Sequence, residues 1–164
     1  MSLTIIKGTI VSAPALGQLD ITPGGYLIAR DGVIQGVYPA LPEQYAGAPV
    51  EDYGDDLILQ SFADLHLHGA QYPMLGMGMD LPLLDWLNAY AFPTEARFAD
   101  TGYAREIYRR LARELVANGT TRVCMFSSLH TDATLILMEE LEKAGVTGYV
   151  GKVNMDRNAA PGVL

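Results

Sequence analysis

At 164 residues, 49% of them hydrophobic, the chain is the size of one domain and can bury a core of its own. Charged residues make up 18%, below the roughly 25% of an average globular protein, which hints at surface covered by something outside the sequence. The formal net charge of −8 leaves no broad positive field for a polyphosphate or an anionic bilayer, so neither nucleic acid nor membrane is an expected partner.

In chain order, the first expected element is the apolar-rich strand Leu3 to Val11, and the turn-forming cluster Thr22-Pro23-Gly24-Gly25 is expected to break the next one. A hairpin follows in YLIARDGVIQGVY. Asp31-Gly32 can take the positive φ values of a tight turn, and Leu27, Ile28, Val33, Ile34 and Val37 are suited to its arms. Residues 39–56, rich in Pro, Gly, Ala and Asp, read as a linker, and LILQSF as the start of a buried strand. The expected organisation is a small β-sandwich-like domain over 1–56 and a second region over 57–164.

From residue 57 onward strands alternate with helices, the pattern of parallel strands joined by helical crossovers. Asp100 or Thr101 can cap a helix in which Tyr103, Ile107, Leu111 and Leu115 recur every four residues, and Gly119 stands where it should stop. TRVCMF is the next strand. Asp132 then caps a helix with Leu135, Met138 and Leu141 on one face, Gly145 ends it, and TGYVGKV is the following strand. The β-α-β-α-β run over 57–153 reads as a segment of an α/β domain, its last strand having an unpaired apolar edge. The terminal NMDRNAAPGVL reads as a loop on the active face of a barrel, open to proteolysis.

One cysteine cannot form an intrachain disulfide, and no basic-then-apolar leader opens the chain, which favours the cytoplasm. No apolar run is long enough to cross a bilayer. Cys124, between Val123 and Met125, reads as a small core residue.

The sharpest chemical signal is His66-Leu67-His68. Side chains two apart on a strand point the same way, so both imidazoles can reach one metal ion, and Asp64 shares their face. Two neutral imidazoles at the exit of a strand suit zinc and leave room for ligands from neighbouring strands. The alternative is one packed and one solvated histidine with no metal, because HxH alone is a weak pattern.

The stretch SFADLHLHGAQYPMLGMGMDLPLLDWLNAYAFPTEARF resembles the guanine deaminase family of amidohydrolases, whose first barrel strand ends in D-x-H-x-H followed closely by a Gln-Tyr pair. The likeness continues through NGTTRVCMF, LHTD and GKVNMDRN, about residues 57–158. One departure is Gln60-Ser61, where amidohydrolases usually carry Pro-Gly before the strand. It alters the turn and leaves the ligands in place.

The resemblance implies a (β/α)8 TIM-type barrel, present here as about its first three strands. It implies His66 and His68 as zinc ligands and Gln71, with His68, as contacts to a small purine. The chemistry it implies is hydrolytic deamination of guanine to xanthine and ammonia by a zinc-activated water. In the family the remaining zinc ligands, the acid/base glutamate and a purine-holding arginine come from later strands, beyond residue 164. The implied partner is therefore the remainder of the barrel, either continuous with this chain or as a second polypeptide, and homodimers are common in the family. Alternatives are an aminohydrolase acting on another aminopurine, a pyrimidine or a triazine, or an inert fragment that only packs against a partner.

Other residues admit functional and structural readings. Gln71 can also be an exposed loop residue, and Trp86 and Leu83 can line a pocket or belong to the core. Asp80 is read as a helix cap, His130 as a loop histidine bonded to Asp132 or backbone, and Lys152 as structural.

Overall fold

The computed structural model describes residues 2–155, and its contacts divide the chain after Gln60 into two compact units. The Asp156-Arg157-Asn158 end of the GKVNMDRN match and the Pro-Gly segment after it lie outside the described residues.

The N-terminal unit is one four-stranded sheet in the order β3-β2-β1-β4. It comprises β1 (Leu3–Ala15), β2 (Gln18–Arg30), β3 (Val33–Tyr38) and β4 (Glu51–Leu59). β1 and β2 are antiparallel, β2 and β3 antiparallel, and β1 and β4 parallel. The expected hairpin forms: Arg30 pairs with Val33 around Asp31 and Gly32, whose φ values are 50° and 78°. Asparagine-like and glycine residues accept that region of backbone space at least cost, which is why this turn is legible from two letters.

Three expectations change here. Thr22-Pro23-Gly24-Gly25 does not break the strand; β2 continues through it with a register shift against β1, so the cluster is absorbed as a bulge. LILQSF is not one buried strand. Leu57, Ile58 and Leu59 pair with Thr9, Ile10 and Val11 of β1, and Leu57 and Leu59 are exposed. The presumed linker 39–56 holds most of β4 and a 3₁₀ turn, Glu43–Tyr45, whose Tyr45 closes over Ile5 and Ile28. Burying one aromatic ring outweighs the polar composition of that segment.

The second unit is a parallel sheet in the order β5-β6-β7, made of β5 (Phe62–His68), β6 (Thr120–Phe126) and β7 (Thr147–Gly151). Between β5 and β6 run a 3₁₀ turn (Gly69–Met74), α1 (Leu83–Trp86), a π turn (Leu87–Ala91), α2 (Phe92–Ala96), a second 3₁₀ turn (Arg97–Ala99) and α3 (Thr101–Ala117). α4 (Thr131–Lys143) joins β6 to β7. Both long crossovers are helical, as parallel pairing demands.

Asp100 caps α3 as expected, its Oδ1 accepting from the backbone N–H groups of Gly102 and Tyr103 at 2.7 and 3.1 Å. The α3 residues that pack most deeply are Ala104, Tyr108, Leu111 and Ala112, one step round from the expected stripe, with Tyr103, Ile107 and Leu115 on its flank. A 3.6-residue period drifts off a strict spacing of four.

On α4 the expected stripe is wrong for two of its three members. Leu135 and Met138 are exposed, and the sheet takes Ala133, Leu137 and Leu141 instead, with Ile136 beside them. The helix is apolar on two faces, and spacing alone could not choose between them. Met138 lines an apolar recess with Leu141, Val146 and Val150 beside β7, the edge strand of an unclosed sheet.

α3 and α4 are also tied by Glu140. This carboxylate, 3% exposed, accepts from Arg105 at 2.9 Å, Arg109 at 3.2 Å and Lys143 at 3.0 Å. A buried carboxylate with three charged donors has its desolvation offset.

The helices cover only one face of the sheet. Val123, Met125 and Val150 look into that core, while Tyr149 of β7 is 80% exposed and Phe126 is partly exposed. Cys124, expected as a core residue, alternates with Val123 and Met125, so it lies half-exposed on the face without helices.

Candidate metal centre

The candidate centre stands at the end of β5, where the alternation of the strand divides its residues. Leu67 packs against the helix-side core, which turns His66 and His68 to the opposite face. Their ring centroids are 5.3 Å apart with planes at 70°. Phe126, the β6 partner of His68, stacks on the His68 ring at 4.9 Å and meets His66 edge-on at 5.6 Å. The aromatic ring braces both imidazoles from the neighbouring strand.

Burial holds the pKa of His68 below the ordinary histidine value, and the neighbouring His66 lowers it further. A neutral imidazole is the form that ligates a metal, so the environment favours the competent state. Asp64, expected on the same face, is occupied locally: its Oδ1 accepts the backbone N–H of His66 at 3.1 Å. Among the described residues no group of three or more His, Cys, Asp or Glu side chains comes together to hold a metal. The pair His66 and His68 therefore has donor chemistry that fits zinc as part of a ligand set, and is not a complete set.

The chain leaves β5 through Gly69. A Cβ there would stand 2.8 Å from Met125 Sδ and 3.3 Å from methyl groups of Leu111 and Leu137, so a larger residue would require the Met125 side chain to move. Two residues on, half-buried Gln71 donates Nε2–H to Glu95 Oε1 at 3.0 Å. Glu95, on α2, has its carboxyl pKa raised by burial, an effect opposed by the Gln71 amide. It was not among the expected site residues. Its only signal in the sequence is the FPTEARF segment, and nothing local shows that it meets a residue 24 positions away.

Tyr108 of α3 lies near Glu95. Burial pushes its phenol up to about 12, with the Glu95 carboxylate adding to the rise, and its hydroxyl is 3.2 Å from Ser127 Oγ. The phenol stays protonated and serves as a neutral hydrogen-bonding anchor.

The remaining residues stand apart from the histidine pair. Trp86 and Leu83 do line a recess, with Gly78, Met79 and Leu81, and Trp86 Nε1–H donates to Met77 O at 2.9 Å. Neither histidine nor Gln71 lines that recess. Asp80 does not cap α1; Pro82 occupies the N-cap position.

His130 is the N-cap residue of α4, with Asp132 in the first turn instead of at the cap. The His130 backbone N–H donates to Ser128 Oγ, and its Nε2 is buried without a partner among the described residues. Among the described residues its side chain makes no hydrogen bond to Asp132 or to backbone. Lys152 donates to Asn154 Oδ1 at 2.6 Å within its own turn.

A parallel β/α segment with two imidazoles at a strand exit defines the class. The amidohydrolase family model matches residues 57–163, and the chain belongs to that family. Within it, the chain is 48% identical over 103 residues to guanine deaminase of Rattus norvegicus, covering 63% of this chain and 23% of that protein. It is 32% identical over 174 residues to guanine deaminase of Dictyostelium discoideum, covering 96% and 39%. The crystal structure of guanine deaminase from C. acetobutylicum, solved with guanine bound in the active site, superposes with a TM-score of 0.92 at 42% identity, over 99% of this chain and 39% of that one. The chain thus spans less than two fifths of the length of these relatives. The fold is accordingly that of an amidohydrolase whose sheet is not closed into a full barrel. No helix of the described residues is long and apolar enough to cross a membrane.

Proposed function

We propose that this chain supplies the first part of a zinc-dependent deaminase that hydrolyses guanine to xanthine and ammonia. The observation that carries the reading is the braced pair His66 and His68, followed three residues later by Gln71, within a segment that resembles guanine deaminases along its whole length. The N-terminal strands through Leu59 act as a small β-domain, and residues from Ser61 onward begin the barrel.

His66 and His68 would hold the zinc ion together with ligands from the remainder of the barrel. When bound there, zinc supplies Lewis-acid activation of water at neutral pH. The residues of this chain bind and orient. Phe126 limits the motion of the two imidazoles, the depressed pKa of His68 keeps its ring nitrogen free of a proton, and Gln71 hydrogen-bonds the edge of the heterocycle.

Two imidazoles alone form a weak site. Purified by itself, the chain is expected to lose zinc on brief dialysis against a chelator and to form no xanthine, measured by metal analysis and by product absorbance. Retention of one zinc per chain would show that ligands beyond this pair suffice. Substrate choice is tested on the complete barrel by comparing guanine with adenine, cytosine and an aminotriazine. Guanine should lead in kcat/KM by about a hundredfold or more, since a missing buried hydrogen-bond partner discriminates strongly. A lead for any other ring would move the chain to another aminohydrolase.

A further inference from the structure

The amide of Gln71 is not free to turn. An ionised carboxylate only accepts hydrogen bonds, so the contact at 3.0 Å engages an N–H of Gln71 with Glu95 Oε1. Because the amide is planar, its Oε1 is turned away from the carboxylate, and a flip would set oxygen against oxygen.

Both partners stand on fixed elements. Gln71 sits in the 3₁₀ turn Gly69–Met74, whose Gly69, Ala70 and Met74 are buried, and Glu95 precedes Phe98, which is fully buried against the Tyr108 and Tyr103 rings at 4.8 and 5.2 Å. The bond joins residues 24 apart in sequence that share no helix or strand, and it leaves Gln71 with no other side-chain hydrogen bond among the described residues.

We propose that Glu95 is a positioning residue that fixes which end of the Gln71 amide meets the substrate, so that residue 71 presents an acceptor to an N–H on the ring edge. This rests on the reading of Gln71 as a substrate contact, and it narrows that reading. A primary amide could in principle serve a donor or an acceptor on the ring, and Glu95 selects the ring edge that donates. Guanine, with N–H groups on its ring, meets this requirement, whereas a ring edge carrying only lone pairs does not.

The test uses the complete zinc-loaded barrel and steady-state kinetics on guanine, with zinc content and thermal melting followed for every variant. Glu95→Gln should raise KM about tenfold, the worth of one well-placed hydrogen bond, with a smaller change in kcat and no loss of zinc. Gln71→Glu should be worse, since it sets two carboxylates together. The double exchange Gln71→Glu with Glu95→Gln should recover KM to within about threefold of the parent, because the amide now at 95 donates to the carboxylate at 71, whose second oxygen faces the ring. A silent Glu95→Gln, or a double exchange no better than Gln71→Glu alone, would overturn the proposal. Gln71→Ala separates the two readings: a raised KM there with a silent Glu95→Gln defeats only the role of Glu95, whereas an unchanged KM in Gln71→Ala defeats both.

Discussion

Replacing His68 with alanine should strip zinc from the complete barrel and reduce guanine turnover by more than about a hundredfold, because changes to groups that merely orient metal ligands already cost 10–100-fold. His68 is the better placed of the two imidazoles: its ring stacks on Phe126 and burial lowers its pKa. The folded core should be little disturbed, since the side chain projects from the face opposite the helices, and melting temperature is the control. Metal analysis by mass spectrometry reads the loss directly. A His68→Ala protein that keeps one zinc per barrel and its activity would remove this residue from the ligand set. The same substitution at His66, which is more exposed and lacks the stacked neighbour, should give a loss of the same kind.

Phe98→Ala should destabilise the second unit by about 3–5 kcal/mol, the usual cost of emptying a buried aromatic site. Phe98 is fully buried, with Tyr108 and Tyr103 packed on its ring. It also ends the segment that carries Glu95. Urea unfolding should therefore show a lowered midpoint, and in protein that remains folded KM for guanine should rise more than kcat falls. A loss below about 1 kcal/mol would mean that the neighbouring rings collapse into the space, and that the Phe98 site does not hold α2 in place.

What the sequence disclosed follows the range of the forces involved. Asp31-Gly32 was legible because a two-residue turn depends on its own backbone freedom, and Asp100 because a cap bonds within three residues. His66 and His68 were legible because the strand period of two places them on one face whatever surrounds the strand. The parallel order of β5, β6 and β7 followed from the alternation of helix and strand.

The failures lie where a distant neighbour decides. α4 has apolar residues around much of its circumference, and only the position of the sheet selects Leu137 over Leu135 and Met138. The first part of β4, residues 51–56, looked like a linker because it is mostly polar and its stabilisation comes from pairing with β1, some 45 residues earlier. Glu95 was missed for the same reason, its meaning residing in a contact with Gln71 that no local pattern encodes.

Zinc-dependent deamination is put to its sharpest test by following xanthine formation from guanine with the complete barrel, first after chelation and then on titration with zinc. It predicts no turnover in the metal-free protein and recovery that saturates at one zinc per barrel, abolished in the His66→Ala, His68→Ala double variant. Guanine turnover that survives complete removal of metal, or a fully zinc-loaded protein that leaves guanine unchanged, would contradict it.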